Sequence, residues 1–240
     1  MYSYFVWNNI SSRTMGIYLD APAPVIRGKE RMTEAVVLGQ AGTQLLSQGE
    51  DNYEPYTQQL ILRSPAPASS VYRWLRGDGF VTFSEEPDRK QRARVINQVQ
   101  LKKVSRHLNW YEGTVAFYCQ PLKGLIHEPE YEIVSSATVR NLGDVTERPV
   151  ITLEGAYGDI TLGFKNGSVI EPLYITGLDQ SFGGCIVDSG AHALISLDGQ
   201  TLLTNLTSGK FPFIKPGVAE YRMIGSHTGT ATIGRRQRWL

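Results

Sequence analysis

Apolar and polar side chains alternate along most of this 240-residue chain, with glycine, proline or asparagine closing each run, and the pattern predicts strands nearly everywhere. The first run, YSYFVWN (2–8), is bulky on both faces: Tyr2, Tyr4 and Val6 alternate with Ser3, Phe5 and Trp7, which predicts a strand covered on both sides. A strand at a chain end frays unless something holds it, so this aromatic load predicts docking against a neighbouring element or a neighbouring subunit. A second short strand, Ile17, Tyr18 and Leu19, is stopped by Pro22 and Pro24. Residues 30–38 and 43–47 read as a hairpin turning between Gly39 and Gly42. Residues 56–63 alternate Thr57, Gln59 and Ile61 against Gln58, Leu60 and Leu62. The segment SSVYRWLRGDG (69–79) is the one convincing helix. Ser69 or Ser70 supplies an N-cap oxygen, Val71, Trp74 and Leu75 share a face, and Gly77 can close the end in a left-handed conformation. At about two turns it cannot stand alone, so its Trp74 face is expected on a sheet. Strands resume at 80–83, 94–103 and 110–119, the last ending before Pro121.

The texture changes after EPEYEIV (128–134). From Val139 onward come short runs, RPVITLEG, DITLGFKNG, PLYITG, CIVDSG, ALISLDG and MIGSHTGTATIG, each closed by glycine. A turn about every 8 to 12 residues indicates an antiparallel sandwich. A boundary near residue 132 therefore separates two domains, 1–132 and 133–240, and no longer repeat is evident.

Charge narrows the function. Residues 1–132 carry 15 basic and 14 acidic side chains and residues 133–240 carry 9 and 9, so neither half has the basic field that neutralises a phosphate backbone. Nucleic acid is not an expected partner. Cys119 and Cys185 are too few for a disulfide framework and read as buried thiols of a protein made in a reducing cytoplasm. MYSYFVWNN lacks the basic and apolar regions of a secretory signal, and no apolar window is long enough to span a bilayer.

Candidate chemistry is sparse. Glu85, Glu86 and Asp88 lie together in SEEPDRKQRAR, but a glycosidase needs two carboxyls on separate supports facing across a bond, and a solvated turn is the simpler reading. His107, His127, His192 and His227 have no metal-ligand spacing. No nucleophile elbow is present, and GQAG and SFGG lack the Lys-Ser/Thr of a phosphate loop. Catalytic, cofactor and metal sites are thus all expected to be absent. The basic run RKQRAR (89–94) follows acidic residues directly, which suggests a solvated face or a subunit contact. The closing RRQRW (235–239) reads as a last edge strand with Trp239 as a core plug, and as a ligand platform in the alternative.

Taken in order, WNNISSRTMGIYLDAPAP (7–24), VLGQAGTQLL (37–46) and NYEPY (52–56) resemble the start of the distal tail proteins of long-tailed bacteriophages. The likeness continues through the helix with Trp74 and Leu75, GDGFVTFSEEPDR (77–89) and FYCQP (117–121), which are similar to that family's N-terminal belt domain. In the second half NLGDVTERPVITLEG (141–155), GKFPFIKPG (209–217) and RRQRW are similar to its galectin-like C-terminal half. Two features depart from the family: Lys90, Gln91 and Arg92 stand where aromatics are often found, and Val218 and Ala219 follow Gly217 where asparagine is common.

The resemblance implies a mainly β chain, with a belt-type sandwich carrying one helix and a hairpin, followed by a galectin-like antiparallel sandwich. It implies a structural virion protein and not an enzyme: a homo-hexameric hub of the phage tail tip, as one ring or two stacked, joining the tail tube protein to a tail-associated or fibre protein. It would be synthesised in the host cytoplasm and incorporated into the virion. Tyr2, Phe5, Trp7, Val37 and Leu38 are then the expected subunit-interface residues. The alternative function is recognition of a cell-surface glycan, with Trp239 and Tyr174 as its contacts.

Overall fold

A computed structural model of the chain describes residues 3–36, 43–47, 51–65, 68–104, 109–133, 136–227 and 231–240. It is mainly β and divides into two compact units, Met1–Ile126 with Leu240, and His127–Trp239. The division falls a few residues before the position 132 read from the sequence.

In the first unit β1 (Phe5–Trp7) turns through Asn8 and Asn9 into β2 (Ile10–Ser11), with Trp7 opposite Ile10. Asn8 and Asn9 have φ of 48° and 65°. Two consecutive left-handed residues make a type I′ turn, whose twist matches a hairpin and which asparagine tolerates. The Asn8 carboxamide oxygen also accepts the Phe80 N–H at 3.0 Å, tying the turn to the adjacent strand. There follow β3 (Tyr18–Leu19), β4 (Lys29–Glu30), β5 (Met32–Val36), β6 (Thr43–Ser47), β7 (Tyr53–Glu54), β8 (Tyr56–Ser64), α1 (Ala68–Trp74), β9 (Asp78–Phe83), β10 (Arg89–Val95), β11 (Gln100–Lys103) and β12 (Tyr111–Leu125). The main sheet runs β2-β1-β9-β10-β12-β8-β3, antiparallel throughout, with β11 also paired to β12.

Burial in β8 alternates as its sequence predicts: Gln58, Leu60, Leu62 and Ser64 point inward, while Thr57, Gln59, Ile61 and Arg63 are exposed. The core gathers Phe5, Trp7, Ile17, Leu60, Leu62, Val71, Leu75, Val81 and Phe117. Helix α1 packs as expected. Trp74 stacks on Phe5 with ring centroids 5.4 Å apart, and its Nε1–H donates to the Trp7 carbonyl at 3.3 Å.

Two strand readings change. The run 94–103 is two strands, because Asn97 breaks it: its Nδ2 donates to the Thr114 carbonyl at 2.8 Å and its Oδ1 accepts the Ala116 N–H at 2.7 Å. A side-chain amide thus satisfies ladder groups that main chain would otherwise meet. Strand β12 does not stop before Pro121. Ala93 faces Cys119 and Gln91 faces Lys123, so the residues between form a bulge that removes the need for a proline N–H. Buried Gln91 donates to the Gln120 carbonyl inside that bulge.

The second unit is a two-sheet antiparallel sandwich. Its strands are β13 (Glu130–Ile133), β14 (Ser136–Asn141), β15 (Val150–Glu154), β16 (Ala156–Asn166), β17 (Val169–Ile170), β18 (Leu173–Leu178), β19 (Gly184–Asp188), β20 (Ala193–Ser196), β21 (Thr207–Gly209), β22 (Gly217–His227) and β23 (Ala231–Gly234). One sheet is ordered β13-β23-β15-β19-β20; the other is β14-β22-β16-β18-β21, with β17 on β16. Ile151, Leu153, Val187 and Ile233 of the first share one core with Leu162, Phe164, Ile175 and Tyr221 of the second.

In RRQRW the residues Arg238–Trp239 do form a short strand, β24, but Arg235 turns inward after β23 and is 1% exposed. Its guanidinium meets fully buried Glu147 through two bonds of 2.6 Å, and the same carboxylate accepts the Arg236 N–H at 2.8 Å. Arg235 also donates to the Arg140 carbonyl at 3.0 Å. Bidentate geometry and full hydrogen bonding are what make a buried ion pair tolerable.

Removing Trp7, which is 0% exposed, should cost about 3–5 kcal/mol as Trp7→Ala, whereas Trp7→Phe should cost far less because the buried Nε1–H has no acceptor among the described residues. Chemical denaturation of both variants checks the order. Glu147→Ala should cost about 3–5 kcal/mol by leaving Arg235 buried and unpaired, and the double variant Glu147→Leu/Arg235→Met should recover much of it. A double variant no more stable than Glu147→Ala would show that the pair's charge is not what matters. Burial pushes both cysteine thiols up to about 12, Cys119 against the opposing pull of the Lys123 charge. Both thiols should therefore resist a thiol reagent at neutral pH in the native protein and react on unfolding.

Candidate functional site

The residues singled out for chemistry are engaged with one another. Glu86 receives Lys123 Nζ at 2.6 Å and Arg89 Nη1 at 2.7 Å, and Glu85 receives the Ser84 hydroxyl at 2.8 Å. The Lys123 side chain is only 4% exposed, so this cluster closes one end of the β10–β12 pairing and does not face across a cleft. The basic run 89–94 lies in strand β10, and its first residue, Arg89, pairs with Glu86 of the preceding turn within the protomer. His127 and His192 are exposed and far apart in sequence, and His107 lies outside the described residues. Among the described residues no group of histidine, cysteine, aspartate or glutamate side chains could hold a metal, and no helix is long and apolar enough to cross a membrane.

In the second unit Asp188 is the anchor of a loop. Burial opposes its charge, yet the Ala191 and Gly190 N–H groups and the Arg236 guanidinium hold its carboxyl below the usual range. Beyond it, His192 takes a left-handed φ of 52°, stacks on Phe211 at 5.4 Å and contacts Arg148 at 2.7 Å. These contacts shape a turn and leave no nucleophile or acid–base pair in a cleft.

The surfaces are more informative. Phe5 and Trp7, expected at a subunit interface, are 0% exposed and fill the first unit's own core, because α1 and Phe117 cover the face on which they lie. They leave no surface for a neighbour. Tyr2, Val37 and Leu38 lie outside the described residues. Around the latter two, β5 and β6 form a hairpin that pairs only with itself among the described residues. Met32 and Leu46, on opposite faces of it, are 42% and 51% exposed. Trp239 is buried, while Tyr174 is exposed on β18 opposite Thr161 and Ser208.

One aromatic group was not singled out from the sequence. Tyr18 and Trp110, from segments far apart in the chain, meet at a ring distance of 6.1 Å beside Arg63. The outward register of β8 was legible, but the partner brought beside it was not.

No family model matches the sequence, and no curated protein sequence matches it. Among solved structures it is similar to the Dit protein (gp 19.1) of SPP1, described as a paradigm of the hub adsorption apparatus in phages that infect Gram-positive bacteria. The likeness has a TM-score of 0.75 at 16% identity and covers 100% of both chains. From end to end, then, this chain has the fold of a phage Dit hub protein.

Proposed function

We propose that the protein is a non-enzymatic structural component of a phage tail tip, a hub whose first unit forms a hexameric ring between the tail tube and the adhesion device. The observation that carries this reading is the likeness to the SPP1 hub protein, which covers 100% of both chains. The protein would be made in the host cytoplasm and end in the virion.

The hairpin β5–β6 supplies a physical reason for assembly. A two-stranded ribbon by itself is at best marginally stable in water. With Met32 and Leu46 exposed on its two faces, this arm gains by docking on a second copy. A closed head-to-tail ring gives every arm such a partner and leaves none over. Permanent interfaces of this kind commonly bury on the order of 2,000 Å² or more. The glycan reading of the second unit retains only Tyr174, since Trp239 is buried.

Multi-angle light scattering on the purified chain should give six times the protomer mass, and negative-stain micrographs should show rings. A strictly monomeric species at tens of micromolar with no rings would sink the hub. Replacing residues 32–47 by a short Gly-Ser linker should yield a folded monomer with an unchanged far-ultraviolet spectrum; a variant that still forms six-subunit rings would remove the arm from the assembly.

A further inference from the structure

We propose that the outer face of the first unit's sheet carries a binding site for a neutral pyranose sugar, built from Tyr18, Asp20, Arg63, Trp110 and Glu112. This goes beyond the hub reading and does not rest on it. The strand register makes the site. Lys102 faces Glu112, Glu112 faces Arg63, and Arg63 faces Tyr18, so four strands set these side chains in one row. Directly paired residues share a sheet face. On the other face of the same strands Leu19 and Leu62 are 6% and 0% exposed, which seats the row on packed core.

At one end of the row the rings of Tyr18 and Trp110 lie 6.1 Å apart and 38° off parallel, with both residues more than a third exposed. Trp110 is held by its carbonyl, which accepts the Val104 N–H at 2.9 Å. Arg63 lies beside the rings with its plane fixed at two points. Nη2 meets Asp20 at 3.1 Å and Nε meets Glu112 at 3.3 Å. Tyr18, Leu19, Asp20, Arg63 and Trp110 line a recess of about 440 Å³, within the range of about 300–1,000 Å³ usual for small-ligand sites.

The ion pairs are too exposed to contribute much to stability, with side-chain exposures of 38–51%. What they do is orient planar donors and acceptors around an apolar platform. A pyranose has complementary chemistry: its axial C–H face packs on aromatic rings, and its equatorial hydroxyls both donate and accept. Aspartate and glutamate accept from such hydroxyls, and the arginine donates to them. The charges exclude the nearest competitors. Two carboxylates around one guanidinium disfavour phosphate or a uronate, and a guanidinium beside the rings disfavours a quaternary ammonium, which would otherwise suit an aromatic pair.

The test is saturation-transfer NMR on the full chain with glucose, galactose, N-acetylglucosamine, maltose and cellobiose as probes, and with glucuronate and choline as charged controls. At least one neutral probe should receive saturation at its axial C–H protons, and the charged controls should receive much less. Trp110→Ala and Arg63→Gln should each weaken that probe by roughly tenfold or more, while Tyr174→Ala on the second unit should leave it unchanged. Arg63→Gln keeps the aromatic platform in place, so its effect does not depend on how well Trp110→Ala folds. Absence of transfer to every neutral probe overturns the site, as does transfer that survives both variants or is stronger for glucuronate or choline. Light scattering on the same variants identifies the rival: if Trp110→Ala breaks up an oligomer and no sugar saturates, the face is a contact between copies of this chain.

Discussion

A three-residue strand cannot hold its place by ladder hydrogen bonds alone, and the first unit is organised around that constraint. Phe117, at the middle of β12, lies 5.5 Å from Phe5, 5.3 Å from Trp7 and 6.4 Å from Phe83. Trp74 closes the same cluster from α1. Full burial of each large apolar side chain contributes about 1.5–3 kcal/mol, so this group outweighs the fraying tendency of β1 several times over. Once β1 is fixed beside β9, the antiparallel order through β10, β12 and β8 carries the outer face to β3. Tyr18 and Arg63 can share a row only because that inner cluster sets the register.

The second unit solves a different problem with polar chemistry. Residues 142–146 and 235–237 lie between strands, and side chains meet part of their main chain. Asn141 donates to the carbonyls of Val145 and Ile214 and accepts the Gly143 N–H; Gln237 and Arg235 both donate to the Arg140 carbonyl. The Glu147–Arg235 pair sits at the centre of this network. An apolar filling of equal volume could supply comparable stability, but it would not specify which loop meets which. A sandwich ordered in this way suits a part of a scaffold, whose task is to hold a geometry.

Aromatic residues in this chain do two separate jobs. Phe5, Trp7 and Phe117 are consumed by the core, whereas Tyr18, Trp110 and Tyr174 remain at the surface. The hub reading and the sugar site draw on different parts of that surface: the self-paired hairpin with Met32 and Leu46 for assembly, and the Tyr18–Trp110 row for a ligand. A hub that also holds sugar would combine a permanent contact with a weak, exchangeable one, and the two need not share residues.

The sequence by itself determined many of the strand segments, the position of helix α1 and how β8 alternates, because these depend on periodicity and on residues such as Asn8, Asn9 and Gly77 whose backbone preferences are local; it did not show β10, read as a solvated face, or the true ends of β11 and β12. It also determined the mainly β, two-unit character and the motif order behind the likeness to distal tail proteins. Tertiary structure alone decided that Phe5 and Trp7 face inward, since an aromatic run is equally suited to a core or an interface until α1 and Phe117 arrive to cover it. It decided that Arg235 is buried, since only the fold brings Glu147, 88 residues away in sequence, into bidentate contact. It also placed Trp110 beside Tyr18. Each of these outcomes depends on which distant groups meet, and the physical reason they escaped the sequence is that burial and pairing are properties of a neighbourhood, while periodicity is a property of a segment.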